Sequence, residues 1–473
     1  MTINNYVADQ IRYCFPYQPT DEQERAINLL SEFLLSTERD SVFLLTGYAG
    51  TGKTILVSSF VKAMDKFKKK SLLLAPTGRA AKVFSLYSNH TACTIHKCIY
   101  RQKTFSADID NFSINVNLMK DTIFIVDEAS MISNSGLSGH TFGSGRLLDD
   151  LMQFVYSGEG CRLILMGDTA QLPPIGEDES PALTVAELQA YGMKVYASNL
   201  IHVVRQKIQS GILWNASNIR KKIEEDIYDL LPKVRLSGFN DICRLNGDEL
   251  IDTLSSCYDK DGLDDTVVIC RSNKRANLYN NGIRAQILYR EDELESGDVL
   301  MIAKNNYYWT DRNKDMDFIA NGENAVVRRV HHIRELYGFR FASVLLSFPN
   351  YDGVEIEVNL LLDTLHSESP ALSESDNERL FTTISEDYAD IPHKKDRMEK
   401  MKHDPYYNAL QVKYAYAVTC HKAQGGQWKN VFLDQAYLSP EYITPDYYRW
   451  LYTAFTRATE TLYLVNYPPE KTE

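Results

Sequence analysis

The sequence GYAGTGKT at residues 47–54 is the strongest indication of the fold, because it lies between an apolar run at 41–46 and a helix-like run at 55–67. It fits the pattern GxxxxGK[ST], in which glycines let successive backbone N–H groups face a phosphate at a helix N-terminus. The pattern therefore predicts a phosphate-binding loop in a strand–loop–helix setting. The residues expected to cradle the phosphates are Gly47, Gly50, Thr51 and Gly52.

Two further side chains of this loop and an acidic pair predict ATP hydrolysis with Mg²⁺. Lys53 is expected to neutralise the β and γ oxygens of ATP, and Thr54 to offer its hydroxyl to Mg²⁺. The strand-like run TIFIV at 122–126 ends in Asp127 and Glu128. Asp127 would hold Mg²⁺ through water, and Glu128 would polarise the attacking water. Without a phosphate loop, such an acidic pair would more simply be a solvated turn.

A third apolar run, at 163–166, leads into the sequence GDTAQLPPI at 167–175. Gln171 can both donate and accept a hydrogen bond, so it is a candidate sensor of the γ-phosphate. The prolines that follow stiffen the segment. A turn closed by a proline stop is an equal interpretation of this stretch when it is taken alone.

The chain of 473 residues is long enough for two to four domains. Apolar runs alternate with helix-like segments twice along it, which predicts an α/β fold with two parallel-sheet halves at residues 1–203 and 204–473. Residues 98–120 interrupt the first half and predict a β-hairpin insertion. The alternating runs at about 328–411 predict a small β-rich, barrel-like insertion in the second half.

The composition is that of a folded globular protein, with 44 % hydrophobic and 24 % charged residues. The formal net charge of −12 weighs against a nucleic-acid binder, but a local basic track can act inside an acidic chain. Eight scattered cysteines predict neither a zinc site nor a disulfide framework. No apolar run approaches a membrane span, and no secretory signal is visible, so a cytoplasmic enzyme is expected.

Seven motifs in order resemble those of superfamily 1 DNA helicases. The match is strongest to the Dda-like and RecD-like branch, superfamily 1B, on the QLPP and HKAQG sequences and on GDVLMIAKNNY…NGENAVV within 297–327. The motifs are GYAGTGKT (47–54), APTGRAAK (75–82), TIHK (94–97), IVDEAS (125–130), GDTAQLPPIG (167–176), YAVTCHKAQGGQW (416–428) and YTAFTRA (452–458).

The resemblance implies two RecA-like domains of the P-loop NTPase class that clamp MgATP between them. The implied activity is that of an ATP-dependent DNA helicase, which moves 5′ to 3′ on single-stranded DNA and unwinds duplexes at junctions. A monomer without membrane attachment is expected. One alternative is a single-stranded-DNA-stimulated ATPase that displaces bound proteins without unwinding. A small-molecule kinase is a third possibility, but it would not need the motifs of the second half.

The resemblance also assigns roles to individual residues. Gln23 resembles the adenine-reading glutamine, although Thr20 and Gln23 also suit a helix cap. Arg205 and Arg457 resemble arginines that reach the γ-phosphate across the cleft, with a surface ion pair as the alternative for each. The positions that match the family's DNA-gripping residues are Thr77, Arg79, Lys82, Thr94, His96, Lys97, Thr419, His421, Lys422 and Gln424.

Two further positions depend on the resemblance. In the family, an aromatic residue on the hairpin acts as a pin that separates the DNA strands, and Phe112 is the favoured candidate here over Phe105. Packing of Phe112 against the protein body is the equal alternative. Gln427 stands where an acidic residue is commoner, which leaves the partner of this position open.

Overall fold

The structure is a computed structural model that describes residues 2–102, 112–136, 143–203, 210–228, 230–310, 316, 318–436 and 439–473. Among the described helices, none is long and apolar enough to cross a bilayer. The strands of the first half are β1 (Ser41–Gly47), β2 (Lys70–Ala75), β3 (Ala92–Thr94), β4 (Tyr100–Gln102), β5 (Phe112–Ile114), β6 (Thr122–Val126), β7 (Arg162–Gly167) and β8 (Lys194–Leu200). Its helices are α1 (Ile3–Cys14), α2 (Asp21–Leu35), α3 (Lys53–Lys66), α4 (Gly78–Ser88), α5 (Ile95–Ile99), α6 (Leu147–Ser157) and α7 (Val185–Ala190).

Six of these strands form one parallel sheet in the order β3-β2-β6-β7-β1-β8. All five residues of β6 are buried, as expected for a strand covered by helices on both faces. The loops that follow β1, β6 and β7 leave the same edge, because all three strands run in parallel. This edge therefore collects the phosphate loop, the acidic pair and the segment that contains Gln171.

The second half contains a second parallel sheet, in the order β16-β10-β17-β18-β9. Its strands and those of the barrel are β9 (Ile242–Leu245), β10 (Thr266–Cys270), β11 (Val299–Ile302), β12 (Asn324–Leu336), β13 (Phe339–Phe348), β14 (Val354–Leu361), β15 (Leu410–Tyr414), β16 (Ala417–Thr419), β17 (Trp428–Asp434) and β18 (Ala458–Val465). Its helices are α8 (Gly211–Glu224), α9 (Leu250–Asp261), α10 (Asn273–Gln286), α11 (Glu374–Asp387), α12 (Lys394–Lys402), α13 (Cys420–Ala423) and α14 (Pro445–Phe455). Short 3₁₀ turns lie at Ala129–Met131, Pro181–Leu183, Pro349–Tyr351, Leu362–Thr364, Pro440–Tyr442 and Pro469–Lys471.

Both predicted insertions are present, but one has different limits. Strands β4 and β5 form an antiparallel pair at the base of the hairpin, and residues 103–111 lie outside the described part. Strands β11 to β15 close into a barrel that extends from Val299 to Tyr414, wider than the predicted 328–411. Tyr414 ends the last barrel strand, and Ala417–Thr419 then belongs to the second sheet.

The predicted boundary at residues 203 and 204 falls between the end of β8 at Leu200 and the start of α8 at Gly211. The first sheet has a hydrophobic core on each of its faces. The second sheet likewise has two cores, one of which continues into the barrel. A smaller apolar cluster joins α11 and α12 to the barrel, so the charged segment near 363–403 is folded against it.

Candidate active site and nucleic-acid interface

The phosphate loop connects β1 to α3 through two glycines in the left-handed region. Gly50 and Gly52 have φ angles of 80° and 87°, which a residue with a side chain adopts only with strain. A Cβ atom on Gly52 would also lie 2.6 Å from Nε2 of Gln23. Lys53 begins α3, and its ammonium donates hydrogen bonds to the backbone carbonyls of Gly47 and Tyr48.

Gln23 is buried between the start of α2 and the phosphate loop. Its Oε1 accepts a hydrogen bond from the Thr20 N–H at 3.0 Å, and Thr20 Oγ1 accepts one from the Gln23 N–H. Its Nε2 donates to the carbonyl of Thr51 at 3.0 Å. The helix-capping alternative is thus present, and the same carboxamide ties the loop to α2.

The acidic pair follows β6 in a strained backbone conformation. Glu128 has a φ of 51°, and its N–H donates to Oδ1 of Asp127 at 2.8 Å. Burial and the charge of Glu128 raise the pKa of Asp127 above its usual range, while Lys53 and Arg457 oppose the rise. A divalent cation would relieve the repulsion between Asp127 and Glu128. The hydroxyl of Thr54, which follows Lys53 in the sequence, would be a second hard oxygen ligand. The donor set fits Mg²⁺, which proteins commonly hold with one or two carboxylates plus substrate phosphates.

Arg457 reaches the acidic pair from the second half of the chain. It follows α14, is 4 % exposed, and places Nη1 4.0 Å from Oε1 of Glu128. The carbonyls of Thr453 and Gly426 accept hydrogen bonds from its Nε and Nη1 at 3.1 and 3.3 Å. The guanidinium is therefore held in a fixed position at the edge of the predicted ATP site.

Tyr452 links the two halves across the same site. Its hydroxyl accepts a hydrogen bond from the Ala49 N–H of the phosphate loop at 3.1 Å. It donates to Oδ2 of Asp168, in the loop after β7, at 2.7 Å. The side chain is 1 % exposed, so both bonds are shielded from water. One residue of the second half thus contacts two of the three loops that carry the predicted catalytic groups.

The loop after β7 makes further contacts between the two halves, on the side away from the predicted ATP site. Gln171 is buried, and its Oε1 has no hydrogen-bond partner among the described residues. The next residue, Leu172, donates its N–H to Thr453 Oγ1 at 2.9 Å and accepts from Nε2 of Gln424 at 2.8 Å. Gln424 belongs to the predicted DNA track, so a single loop joins the ATP site to that track.

A cavity of about 310 Å³ lies between the first half, the second half and the loop that leads into β12. Its walls bring together seven of the ten backbone-gripping residues predicted from the family motifs. These seven are Thr77, Arg79, Thr94, His96, His421, Lys422 and Gln424. Side chains that the sequence did not single out complete the walls, among them Met131, Asn305, Phe318, Asn321, Asn324 and Trp428.

The cationic side chains of this cavity are partly desolvated. The guanidinium of Arg79 lies 3.7 Å from the ring centre of Trp428, and burial lowers its pKa to about 10. Burial also lowers the pKa of Lys422, whose ammonium donates to Oδ1 of Asn321 at 2.6 Å. His96 is neutral at pH 7, because burial lowers its pKa to about 4. Cations held at such positions gain from a nearby phosphate, which would offset their lost hydration.

Comparison with known proteins places this geometry in a family. Residues 19–230 match a family model described as an AAA domain, and residues 414–465 match one described as a UvrD-like helicase C-terminal domain. The order of the two matches is that of the phosphate loop and the arginine-bearing half. The chain belongs to the superfamily 1 helicases. Within them it is of the Pif1, Dda and RecD-like group, a family of ATP-hydrolysing DNA helicases.

Individual relatives are distant from this helicase. An uncharacterized protein of Acanthamoeba polyphaga mimivirus is 22 % identical over 93 % of this chain and 98 % of its own length. The ATP-dependent DNA helicase dda of Enterobacteria phage T4 is 24 % identical over 60 % of this chain and 60 % of its own. A crystal structure of Pif1 helicase from Bacteroides in complex with ADP-AlF3 and ssDNA has 15 % identity and a TM-score of 0.47, covering 95 % and 92 % of the two chains.

Several predicted residues of the helicase lie elsewhere. Arg205 lies outside the described residues. Lys82, Lys97 and Thr419 do not line the cavity, because Lys82 donates to the carbonyl of Pro349 on the barrel and Thr419 precedes the short α13. The hydroxyls of Thr77 and Thr94 also cap α4 and α5, so the capped-turn alternative holds together with the cavity position.

Phe112 does not lie where a strand-separating pin requires. It pairs with Gln102 at the base of the hairpin, is 8 % exposed, and its ring centre is 4.0 Å from that of Tyr307. The alternative of packing against the body describes this position, because a buried aromatic ring has no free face for a DNA base. Gln427 has a partner in the helicase: its Oε1 accepts from the Tyr87 hydroxyl at 3.1 Å.

Tyr452 is a candidate functional residue that the sequence alone did not indicate. It stands at the start of the quoted motif YTAFTRA, but an aromatic residue on a helix is more often part of a core, and this one is also buried. Only the three-dimensional contact with Ala49 and Asp168 distinguishes it from its neighbours on α14. Asn321 and Trp428 likewise lay inside quoted motifs without a role of their own.

Proposed function

We propose that this chain is an ATP-driven motor that moves 5′ to 3′ on single-stranded DNA and unwinds duplexes at junctions. The direction rests on the resemblance of its motifs to the superfamily 1B branch. The cavity between the halves would hold the single strand, and the edge of the first sheet would hold MgATP. A monomer suffices for this arrangement, because both halves of the site come from one chain.

The reaction would be in-line attack of water on the γ-phosphorus of ATP. Glu128 would orient and polarise that water, while Lys53 and Arg457 would stabilise charge on the γ-phosphate oxygens in the transition state. Thr54 and Asp127 would hold Mg²⁺, which supplies further charge neutralisation when bound. Arg205 is proposed as the second arginine of the cleft. Gln171, with its unpartnered Oε1, would respond to the presence of the γ-phosphate.

The observation that carries the proposal is the continuous set of contacts from the phosphate loop to the DNA cavity. Ala49 and Asp168 bind Tyr452, Thr453 binds Leu172, and Leu172 in turn binds Gln424. Each contact crosses between the halves, so a change at the γ-phosphate would alter how they pack. Altered packing at Gln424 would change the grip on the strand, which is the coupling that a translocating motor needs.

The proposal is tested by ATP turnover with and without single-stranded DNA, together with strand separation of a tailed duplex. Turnover should rise with single-stranded DNA, and ATP should be required for strand separation. Arg457→Ala should lower kcat by a factor on the order of 10³, the lower end of the range for arginine fingers. ATP turnover at the same rate with and without single-stranded DNA would contradict the motor assignment.

The second candidate function is displacement of DNA-bound proteins without unwinding, and the position of Phe112 favours it. The favoured wedge residue, Phe112, is buried, and the other candidate, Phe105, lies outside the described residues. Release of a labelled protein from single-stranded DNA without strand separation of a tailed duplex would select this candidate.

A further inference from the structure

Strand β12 carries a three-residue repeat that the motor sites do not use. Its sequence from residue 327 is VRRVHHIREL, an apolar residue followed by two charged or ionisable ones. A regular strand alternates its side chains with a period of two, so it would turn half of these polar residues into the barrel. The repeat therefore needs a departure from regular geometry.

Two register shifts supply that departure. The pairing of β12 with β13 shifts between Val327 and Arg329, and again between Val330 and His332. Each shift inserts one residue, so that two residues of β12 oppose one on the partner strand. Val327 and Val330 stay packed against the barrel core while both residues of each following pair are exposed. The exposed basic side chains are Arg328, Arg329, His331, His332 and Arg334, and the third pair also contains the exposed carboxylate of Glu335.

This basic edge is poorly neutralised by its surroundings. Arg328 and His331 lie 3.7 and 3.8 Å from Glu355 and Glu357 of β14, at distances typical of weak surface pairs. Arg329, His332 and Arg334 form no ion pair within the described part of the chain. Such a concentration of positive side chains is unexpected in a chain of net charge −12.

The edge is continuous with the cavity. Asn321 and Asn324 line the cavity, and Asn324 is the first residue of β12. The strand then extends outward for ten residues to Arg334, a distance of about 33 Å at roughly 3.3 Å per residue. Strand β11 pairs only with residues 324–326, so the basic part of β12 has a free edge among the described strands. DNA that leaves the cavity on this side meets the three pairs one after another.

We propose that the basic edge of β12 binds the phosphate backbone of double-stranded DNA next to the junction. The inference rests on the proposed motor function, because it assumes that the cavity holds the single strand. Surfaces for single-stranded DNA combine a groove with exposed aromatic rings for base stacking, and the outward positions of β12 carry no aromatic side chain. Arg and His side chains along this edge suit phosphates, which carry no base identity.

A stiff duplex also matches the length of the edge. Duplex DNA bends little over tens of ångströms, so its backbone can contact this edge without a large ordering cost. Each strand of the duplex has about one phosphate per 3.4 Å along the axis, so the three pairs span about six phosphates. Charges on an edge strand also prevent edge-to-edge aggregation, but that purpose needs no particular sign and no connection to the cavity.

The test compares binding of a 5′-tailed duplex with binding of the tail strand alone, by fluorescence anisotropy without ATP at several salt concentrations. The variant combines Arg329→Gln, His332→Gln and Arg334→Gln, which removes the unpaired groups and leaves no carboxylate without a partner. The control combines Lys69→Gln and Lys233→Gln, two exposed positions outside the barrel. Like the variant, it removes two positive charges, since histidine is neutral at pH 7.

The variant should bind the tailed duplex about 10-fold more weakly at moderate salt, with a salt dependence lower by about two counterions, one for each arginine. Its affinity for the tail strand and its DNA-stimulated ATP turnover should match the unmodified chain, as should all properties of the control. Equal losses on both DNAs, no loss on the duplex, or an equal loss in the control would overturn the proposal. Failure of the motor function itself would instead show as DNA-independent ATP turnover of the unmodified chain.

Discussion

Removal of one hydroxyl group, by Tyr452→Phe, tests whether the contact between the two halves controls ATP hydrolysis. The substitution keeps the buried ring and deletes the bonds to Ala49 and Asp168. Asp168 is 1 % exposed, so its Oδ2 would lose a charged hydrogen bond that water cannot replace while the halves stay together. Such a loss costs about 3 kcal/mol, and it would destabilise only the conformation in which the two halves are in contact.

That free energy corresponds to a factor of about 100 in the equilibrium between joined and separated halves, since 1.4 kcal/mol is a factor of ten. Steady-state ATP turnover at saturating single-stranded DNA should therefore show a kcat/KM about 10- to 100-fold lower. DNA affinity measured without ATP should change much less. Separate values of KM and kcat distinguish weaker nucleotide binding from a slower chemical step.

The matched control is Tyr448→Phe, one turn earlier on α14. The hydroxyl of Tyr448 donates to the carbonyl of Leu230, which lies within the second half. Both rings are fully buried, so both substitutions delete a shielded hydroxyl. If Tyr452→Phe keeps kcat/KM within twofold of the unmodified chain, or if the two variants lose activity equally, the bridging role of Tyr452 is wrong.

Three further outcomes follow from the same structure. Lys53→Ala should abolish ATP turnover and strand separation while single-stranded DNA still binds without ATP; residual unwinding by this variant would contradict the phosphate-loop assignment. Phe112→Ala should lower the free energy of unfolding by about 3 kcal/mol, because the ring is buried, and DNA-stimulated ATP turnover should persist. An unchanged Tm with lost unwinding would restore the pin prediction. Burial raises the pKa of Glu323 from its ordinary value of 4.5 to about 7, so between these pH values the folded chain holds a proton that the unfolded chain has released. Stability should therefore fall by about 3 kcal/mol as the pH rises from 4.5 to 7, and Glu323→Gln should raise Tm at pH 8 but not at pH 4.5. Equal effects at both pH values would contradict the buried ionisation.

Glu323 also marks a close contact between the barrel and the first half. Its Oε1 accepts a hydrogen bond from Asn350, whereas Oε2 has no partner among the described residues. A Cβ atom added to Gly78, the first residue of α4, would lie 2.1 Å from Oε2. The barrel therefore packs closely on the helix that carries Arg79. A side chain at position 78 would therefore have to displace the carboxylate of Glu323.

The nucleotide site was predictable because its chemistry is local in sequence. The phosphate loop, Asp127 and Glu128 each follow a buried strand, and parallel strands bring such positions to one edge. The assignment of Arg457 depends on a motif resemblance, and its guanidinium lies 4.0 Å from the carboxylate of Glu128. The part played by Tyr452 could not be predicted, since a buried tyrosine shows its function only through partners distant in sequence.

The limits of the barrel and of the DNA track were harder to predict. Strand β11 has only four residues, VLMI, and its period does not distinguish a barrel strand from a sheet strand. A short break at residues 415 and 416 separates β15 from β16, and no glycine or proline marks it. Lys82 and Lys97 lie on the same motifs as cavity residues but do not line the cavity, and Lys82 instead donates to the carbonyl of Pro349, which a motif alone does not reveal.

ATP-coupled movement from 5′ to 3′ is tested most directly by strand separation of two duplexes with identical sequence, one tailed at the 5′ end and one at the 3′ end. ATP turnover should be measured in the same reactions. A motor that couples the ATP site to the cavity and moves 5′ to 3′ should separate the 5′-tailed duplex, with turnover stimulated by either tail. Separation of the 3′-tailed duplex alone would contradict 5′-to-3′ movement. ATP turnover that neither tail stimulates would contradict coupling between the ATP site and the cavity.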